Sequence, residues 1–263
     1  MLTLTVAQLE GLLAAFGWPF VRILAFIATE PVLGNRAIPL PVKLALALFV
    51  TVAIAPILPS PPAVPVASAA GLLILAQQVL IGAAMGFTAR IVVSAAEMAG
   101  QLAGLQMGLG FALFFNPESS GQAPLVAEFY GLVAVLTLLT TNAHYVVLTA
   151  LAESFHVLPL ALEPMAARGL LSVVYWGAQI FEVGLMISLP VVGALLIANI
   201  AIGILTRAAP QLNIFAVGFP VTLTVGFIML YLSLPLIVPM IDALAQSGVA
   251  AIMQILAQMR PGP

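Results

Sequence analysis

Apolar blocks at about 11–30, 42–59, 69–93, 98–115, 124–151, 171–205 and 214–241 alternate along the chain with short stretches rich in proline and glycine. Most blocks are long enough to cross a hydrocarbon core of roughly 30 Å, so the pattern predicts an all-α, integral membrane-associated protein with six to seven hydrophobic helices. The separators read PVLGNRAIPLPVK at 31–43, PILPSPPAVP at 56–65, NPESSGQAP at 116–124, FHVLPLALEPMAARG at 155–169 and RAAPQLN at 207–213. An irregular backbone leaves amides unpaired, so such segments belong outside lipid-exposed hydrocarbon. The tail, DALAQSGVAAIMQILAQMRPGP, keeps Leu244, Val249, Ile252, Ile255, Leu256 and Met259 at near-helical spacing and predicts a short surface or docking helix over 242–263.

Composition agrees with this pattern: 63% of the 263 residues are hydrophobic and 6% are charged, where a soluble domain carries about a quarter. The N-terminal run has no basic n-region, the first Lys or Arg being Arg22, so it reads as a retained segment. Cysteine is absent, which excludes disulfides and thiolate chemistry. A net charge of −2 with no basic run gives no footprint for nucleic acid. The few basic residues favour an external N-terminus whether or not block 98–115 crosses, and disagree about the C-terminus.

Arg22, Arg90, Glu97, Glu128 and Glu182 lie in or at the ends of apolar blocks, where an ionisable group is costly in lipid and needs a partner, water or a protein surround. An ion relay is one reading, and contacts that pin helices or subunits together are the simpler one. Arg90 and Glu97, seven apart, share a helical face but are too distant for direct pairing. No HExxH, GxSxG, P-loop or GxGxxG occurs, so the chain is read as no enzyme, with no cofactor. Glu153-Ser-Phe-His156, with His144 upstream, is a single Glu-x-x-His where bundle metal sites use two, so no metal is expected and both histidines read as polar residues at a helix end and in the following loop.

Gly82-x-x-x-Gly86 and the series Gly100, Gly104, Gly108 put small residues on one helical face, the usual packing device of membrane helices. The continuation is unusual for a packing helix: MGLGFALFFNPESSGQAP runs from Met107 through Gly110, Phe111, Phe114 and Phe115 into Asn116-Pro117 and a polar turn. An apolar obstruction in a pore fits such a sequence, because rings of apolar side chains exclude water and ions while neighbouring glycines let the backbone move aside. At 207–213, Pro210 stops one helix and Asn213 starts the next, while Arg207 and Gln211 supply directional donors at a polar tip.

Four phrases, in order, resemble one family. GNRAIPLPVKLALALFVTVAIAP, GLQMGLGFALFFNP, TNAHYVVLTALAESFHVLPL and, most specifically, IGILTRAAPQLNIFAVGFPVTLTVG are similar to segments of the FliR/SctT family of type III export-gate proteins, over about residues 15–235. The chain departs from that pattern at Asn142-Ala143-His144-Tyr145, where flagellar members often carry Asn-Gly-His-His. The resemblance implies a flagellar export-gate subunit assembled with FliP-like and FliQ-like subunits, with FlhB on the cytoplasmic side and FlhA below, through which unfolded flagellar proteins pass. It implies a bacterial inner-membrane site in the flagellar basal body, with part of the assembly above the bilayer on the periplasmic side. It also implies a FliP-like portion over 1–165 whose loop 106–122 is the pore plug, carrying Met107, Phe111, Phe114, Phe115 and Pro117. A FliQ-like hairpin over 171–241 comes next, with Arg207, Pro210, Gln211 and Asn213 as subunit contacts at its tip. An injectisome gate subunit of the SctT type is the near alternative. A small-solute secondary transporter is the distant one, since broken helices and intramembrane charges occur there too but no internal repeat relates the two halves.

Overall fold

The computed structural model describes residues 6–59, 61–62, 64–110, 124–211 and 214–261. Among them the chain is helical, without strands: α1 (Val6–Thr29), α2 (Leu40–Ile54) with a 3-10 turn Ala55–Ile57, α3 (Ala69–Gln106), α4 (Leu125–Thr140), α5 (Ala143–Val157), α6 (Ala167–Trp176), α7 (Gln179–Ala208) and α8 (Ile214–Gln258). Five of the described helical segments are long and apolar enough to cross a membrane, or six if the bent pair α4–α5 is one span.

Proline explains several boundaries. Pro39 and Pro124 precede α2 and α4 in extended conformations, and neither needs an amide where a helix begins. Five other prolines stay inside helices: Pro19 in α1, Pro190 in α7, and Pro220, Pro235 and Pro239 in α8. Membrane helices tolerate this because neighbouring groups re-satisfy the freed carbonyls.

The block boundaries differ from the helix boundaries in instructive places. Blocks 69–93 and 98–115 join in the 38-residue α3, because Ser94 and Glu97 interrupt the hydropathy without interrupting the helix. Block 124–151 divides instead: Asn142 takes a left-handed conformation, φ 59°, between α4 and α5. Block 171–205 begins inside the short α6, which ends at Trp176 with Gly177 as its C-cap, and continues in α7. The tail is the C-terminal part of the 45-residue α8.

The described chain forms two compact units. The first comprises 1–91, 142–177 and 245–263. Its core gathers Ile23, Phe26 and Ile27 of α1, Ile81 and Met85 of α3, Leu151 and Phe155 of α5, and Ile252, Ile255 and Leu256 of α8. A smaller cluster joins Ala14, Trp18 and Ile74. The tail is fastened here: Ala166 N–H donates to the Met259 carbonyl (2.9 Å), Arg260 Nε to the Val157 carbonyl (2.6 Å), and Ser172 Oγ bonds Gln258 Oε1.

The second unit comprises 92–141 and 178–244. In it Gly100 of α3 lies against the α4 backbone, since a Cβ there would come within 2.4 Å of the Val126 carbonyl and 2.7 Å of Ala127 Cα. Gly184 of α7 approaches the Ala95 carbonyl of α3 in the same way, at 2.9 Å. Small residues thus bring helix axes together, as membrane packing without a hydrophobic drive requires. Tyr130 Oη and Ser233 Oγ share a buried hydrogen bond of 3.5 Å between α4 and α8. Large apolar side chains stay exposed on α2, α7 and α8, among them Phe49, Ile197 and Tyr231 at 71–73%.

Candidate functional site

The C-terminus of α3 is the best-defined feature beside the segment singled out as a plug. Its last turn closes with two bonds, Gly108 N–H to the Leu105 carbonyl and Leu109 N–H to the Gly104 carbonyl, both 3.1 Å. Gly108 sits at φ 82°. Together these form a Schellman cap, in which a left-handed residue lets the last carbonyls find donors, and glycine adopts that conformation without a Cβ penalty. Gly108 therefore ends the helix, while Gly100 and Gly104 remain on its face. Gly104 has room, with Val126 side-chain atoms 3.5 Å from a notional Cβ. Gly110 comes after the cap with Leu105 Cδ2 at 3.1 Å from its own.

Met107, the residue just before the cap, is fully buried. Its amide donates to the Ala103 carbonyl (3.0 Å) and its carbonyl accepts from Thr222 Oγ1 of α8 (3.3 Å). The thioether lies where Gly226 has no side chain, its Cγ only 2.5 Å from a Cβ added there. The chain thus leaves α3 from a point held by α8. Phe111, Phe114, Phe115 and Pro117, with most of the loop 106–122, lie outside the described residues.

At the other predicted surface, α7 ends at Ala208 with Arg207 exposed in its last turn, where a cation complements the helix dipole. Pro210 and Gln211 occupy an exposed turn before α8, and Asn213 lies outside the described residues.

The five charges in apolar blocks fall in different surroundings. Arg22 is completely buried within the first unit. Its Nε donates to Gln78 Oε1 (2.7 Å), Nη1 to the carbonyl and hydroxyl of Ser154 (3.0 and 3.2 Å), and Nη2 to the Leu158 carbonyl (2.9 Å). The guanidinium also stacks on Phe155, 4.1 Å from the ring centre. Every one of these partners is neutral, and together they tie α1 to α3, α5 and the loop beyond α5. Arg90 is exposed on α3. Glu97, also exposed on α3, lies over Gly131 of α4, its Cγ 3.0 Å from a Cβ built there. Glu128 and Glu182 are exposed in the first turns of α4 and α7, favourable ends for an anion, and Glu182 accepts from Gln179 (3.0 Å).

His144 and His156 occupy the first and last turns of α5, His156 inside the helix rather than in the loop after it. Among the described residues no group of three or more His, Asp or Glu is placed to hold a metal. Sequence reasoning passed over Glu30, a buried carboxylate just beyond α1 whose Oε2 caps the Leu33 amide at 2.6 Å. Burial pushes its pKa up, opposed by the Leu33 and Val32 amides and by His144. It also passed over Gln78, Ser154, Thr222 and Gly226. No composition signal marks them, because each acquires its role only from the residue that meets it across the fold.

The family described as bacterial export proteins, family 1, matches residues 13–248. The flagellar biosynthetic protein FliR of Pectobacterium carotovorum subsp. carotovorum is 42% identical over 259 residues, covering 98% of this chain and 99% of that protein. FliR of Escherichia coli (strain K12) is 43% identical over 244 residues, 93% of each chain. FliR of Bacillus subtilis (strain 168) is 31% identical over 230 residues, 86% of this chain and 88% of that one.

Proposed function

Because the chain belongs to the bacterial export proteins, family 1, we propose that it serves flagellar export as a non-catalytic wall and closure of a protein-conducting channel. It is a flagellar export-gate subunit of the bacterial inner membrane. In the proposed assembly, FliP-like and FliQ-like subunits complete the channel, FlhB and FlhA adjoin it, and unfolded flagellar proteins pass through it. The chain sits in the basal body with part of the assembly on the periplasmic side of the bilayer. Residues 1–165 act as the FliP-like portion and 171–241 as the FliQ-like hairpin. Arg207, Pro210, Gln211 and Asn213 at the hairpin tip meet neighbouring subunits.

The observation that carries the closure reading is the anchored end of α3. A glycine cap at Gly108, with Met107 held by Thr222 and opposite Gly226, fixes where the chain departs the helix a few residues before Phe111, Phe114 and Phe115. A fixed point of departure supports an obstruction that returns to one place after each opening. The names of the relatives favour flagellar over injectisome membership.

Two experiments test the proposal. Co-expression of the tagged chain with FliP-like and FliQ-like subunits, and native mass spectrometry of the product, should give one stable hetero-oligomer; a monomer indifferent to them refutes the assembly. Phe111→Gly, Phe114→Gly and Phe115→Gly in that assembly should raise ion leakage without loss of subunits, and unchanged permeability refutes the plug.

A further inference from the structure

In the first unit a pocket of about 360 Å³ is lined by Gln77 of α3, His156 at the end of α5, Leu158 and Glu163 of the following loop, and Arg260 beyond α8. Its wall is built from fastened backbone. The Val157 carbonyl accepts from Arg260 Nε (2.6 Å), the Leu158 carbonyl from Arg22 Nη2 (2.9 Å), and the Glu163 carbonyl from Gln77 Nε2 (3.2 Å). Three elements distant in sequence therefore hold the 157–163 loop in one place. Arg260 uses one of its five N–H donors in doing so. The residues that line it thus bring a guanidinium, an imidazole and a carboxylate to one pocket.

Two opposite signs share this pocket. A simple anion suits Arg260 but meets Glu163 and the carbonyl ends of α5 and α8, whose dipoles disfavour negative charge. A simple cation suits those groups but meets Arg260. A ligand bearing a phosphate and a primary ammonium a few ångströms apart satisfies both. The volume lies at the low end of small-molecule pockets and is too small for a folded protein segment. Gln77 stands on α3 and Arg260 lies just beyond the end of α8, both helices of membrane-crossing length, so a lipid headgroup is within reach.

We infer that this pocket binds a zwitterionic phosphoethanolamine group, its phosphate on Arg260 and His156 and its ammonium on the Glu163 carboxylate. The same chemistry is carried by a phosphatidylethanolamine lipid and by water-soluble glycerophosphoethanolamine. Such binding does not depend on the gate reading.

The test uses the full chain, purified in mild detergent and stripped of lipid. Short-chain phosphatidylethanolamine, phosphatidylglycerol, phosphatidylcholine and glycerophosphoethanolamine are titrated while binding is monitored by native mass spectrometry. Phosphatidylethanolamine should bind at least about five-fold more tightly than phosphatidylglycerol, which lacks the cation, and than phosphatidylcholine, whose quaternary nitrogen has no N–H to donate. Glu163→Gln should abolish that preference, and it leaves intact the backbone carbonyl that Gln77 holds. Arg260→Gln should weaken binding of every phosphate-bearing ligand about ten-fold. Binding of glycerophosphoethanolamine as tight as that of the lipid supports recognition of the headgroup alone, and binding of the lipid only supports a site that also engages acyl chains. Equal binding of the three lipids, or an intact preference in Glu163→Gln, overturns the inference.

Discussion

Removing the buried guanidinium of Arg22 should be among the most destabilising single changes available to this chain. Four hydrogen bonds converge on it from Gln78, Ser154 and Leu158. Ser154 keeps other bonds if Arg22 is lost, its carbonyl to Leu158 N–H and its hydroxyl to the Leu151 carbonyl. Gln78 Oε1 and the Leu158 carbonyl are then stranded, at about 1–3 kcal/mol each. Arg22→Ala also empties a long side chain from a closed core, about 2–4 kcal/mol by analogy with large-to-small substitutions. Against this stands the relief of no longer burying a charge, so the net loss is on the order of 5 kcal/mol, comparable with the whole stability of a modest domain. Arg22→Met refills the volume and should lose about half as much. For a chain of this size each kcal/mol moves a melting midpoint by about 2–4 °C. Arg22→Ala is therefore expected about 10–20 °C below the parent when the detergent-purified protein is heated and its monodisperse fraction measured by size-exclusion chromatography. Gln78 offers a converse test: its Nε2 is buried without a partner, so Gln78→Glu replaces an unpaired donor by a counter-charge and should raise the midpoint. An Arg22→Ala protein within about 3 °C of the parent, or Arg22→Met less stable than Arg22→Ala, refutes the reasoning.

The geometry sets three further outcomes. Gly100→Ala drives a Cβ into the α4 backbone and should prevent stable accumulation of the protein, whereas Gly104→Ala, one turn away and meeting only side-chain atoms at 3.5 Å, should melt within about 1 kcal/mol of the parent; equal behaviour refutes the close approach. Gly226→Ala should cost about 1–3 kcal/mol by displacing the Met107 thioether, and Met107→Ala in the same chain should recover much of it in a double-mutant cycle of melting midpoints; a strictly additive pair contradicts the contact. Because burial raises the pKa of Glu30 above its ordinary value, its contribution to stability is complete below that ordinary value and is lost as pH rises through the raised one. Melting midpoints should fall over that window in the parent and flatten in Glu30→Gln.

The helical class was legible in hydropathy alone, because lipid length and backbone satisfaction leave few choices, whereas the expected six to seven hydrophobic helices compare with five long apolar segments among the described residues, or six with the bent pair. Boundaries were less so. A hydropathy dip at Ser94–Glu97 looks like a break and is not one, since polar side chains can face outward without disturbing helical hydrogen bonds. The real break at Asn142 sits inside a continuous apolar block, and only a left-handed residue marks it. For the site, the glycine spacing pointed to close packing, and Gly100 lies against backbone as that spacing suggests. Gly108 shares the spacing but caps the helix, because a four-residue repeat cannot tell a glycine chosen for space from one chosen for conformation. Arg22 was conspicuous as a charge in an apolar run. Its cage was not, since Gln78, Ser154 and Leu158 are 56 to 136 residues away and individually ordinary.

The length of α8 sets a limit on how lipid can accommodate this chain. At about 1.5 Å per residue its 45 residues measure about 67 Å along the axis, some twice the hydrocarbon thickness of roughly 30 Å. Such an excess is more than tilt alone is expected to absorb, so part of the helix belongs outside hydrocarbon. Its apolar side chains divide accordingly: Phe219, Phe227, Tyr231 and Leu236 are exposed, while Ile241, Leu244, Ile252, Ile255 and Leu256 are buried inside the chain. One helix thus supplies exposed apolar surface along its first part and core for the first unit along its last, a double role written into its length.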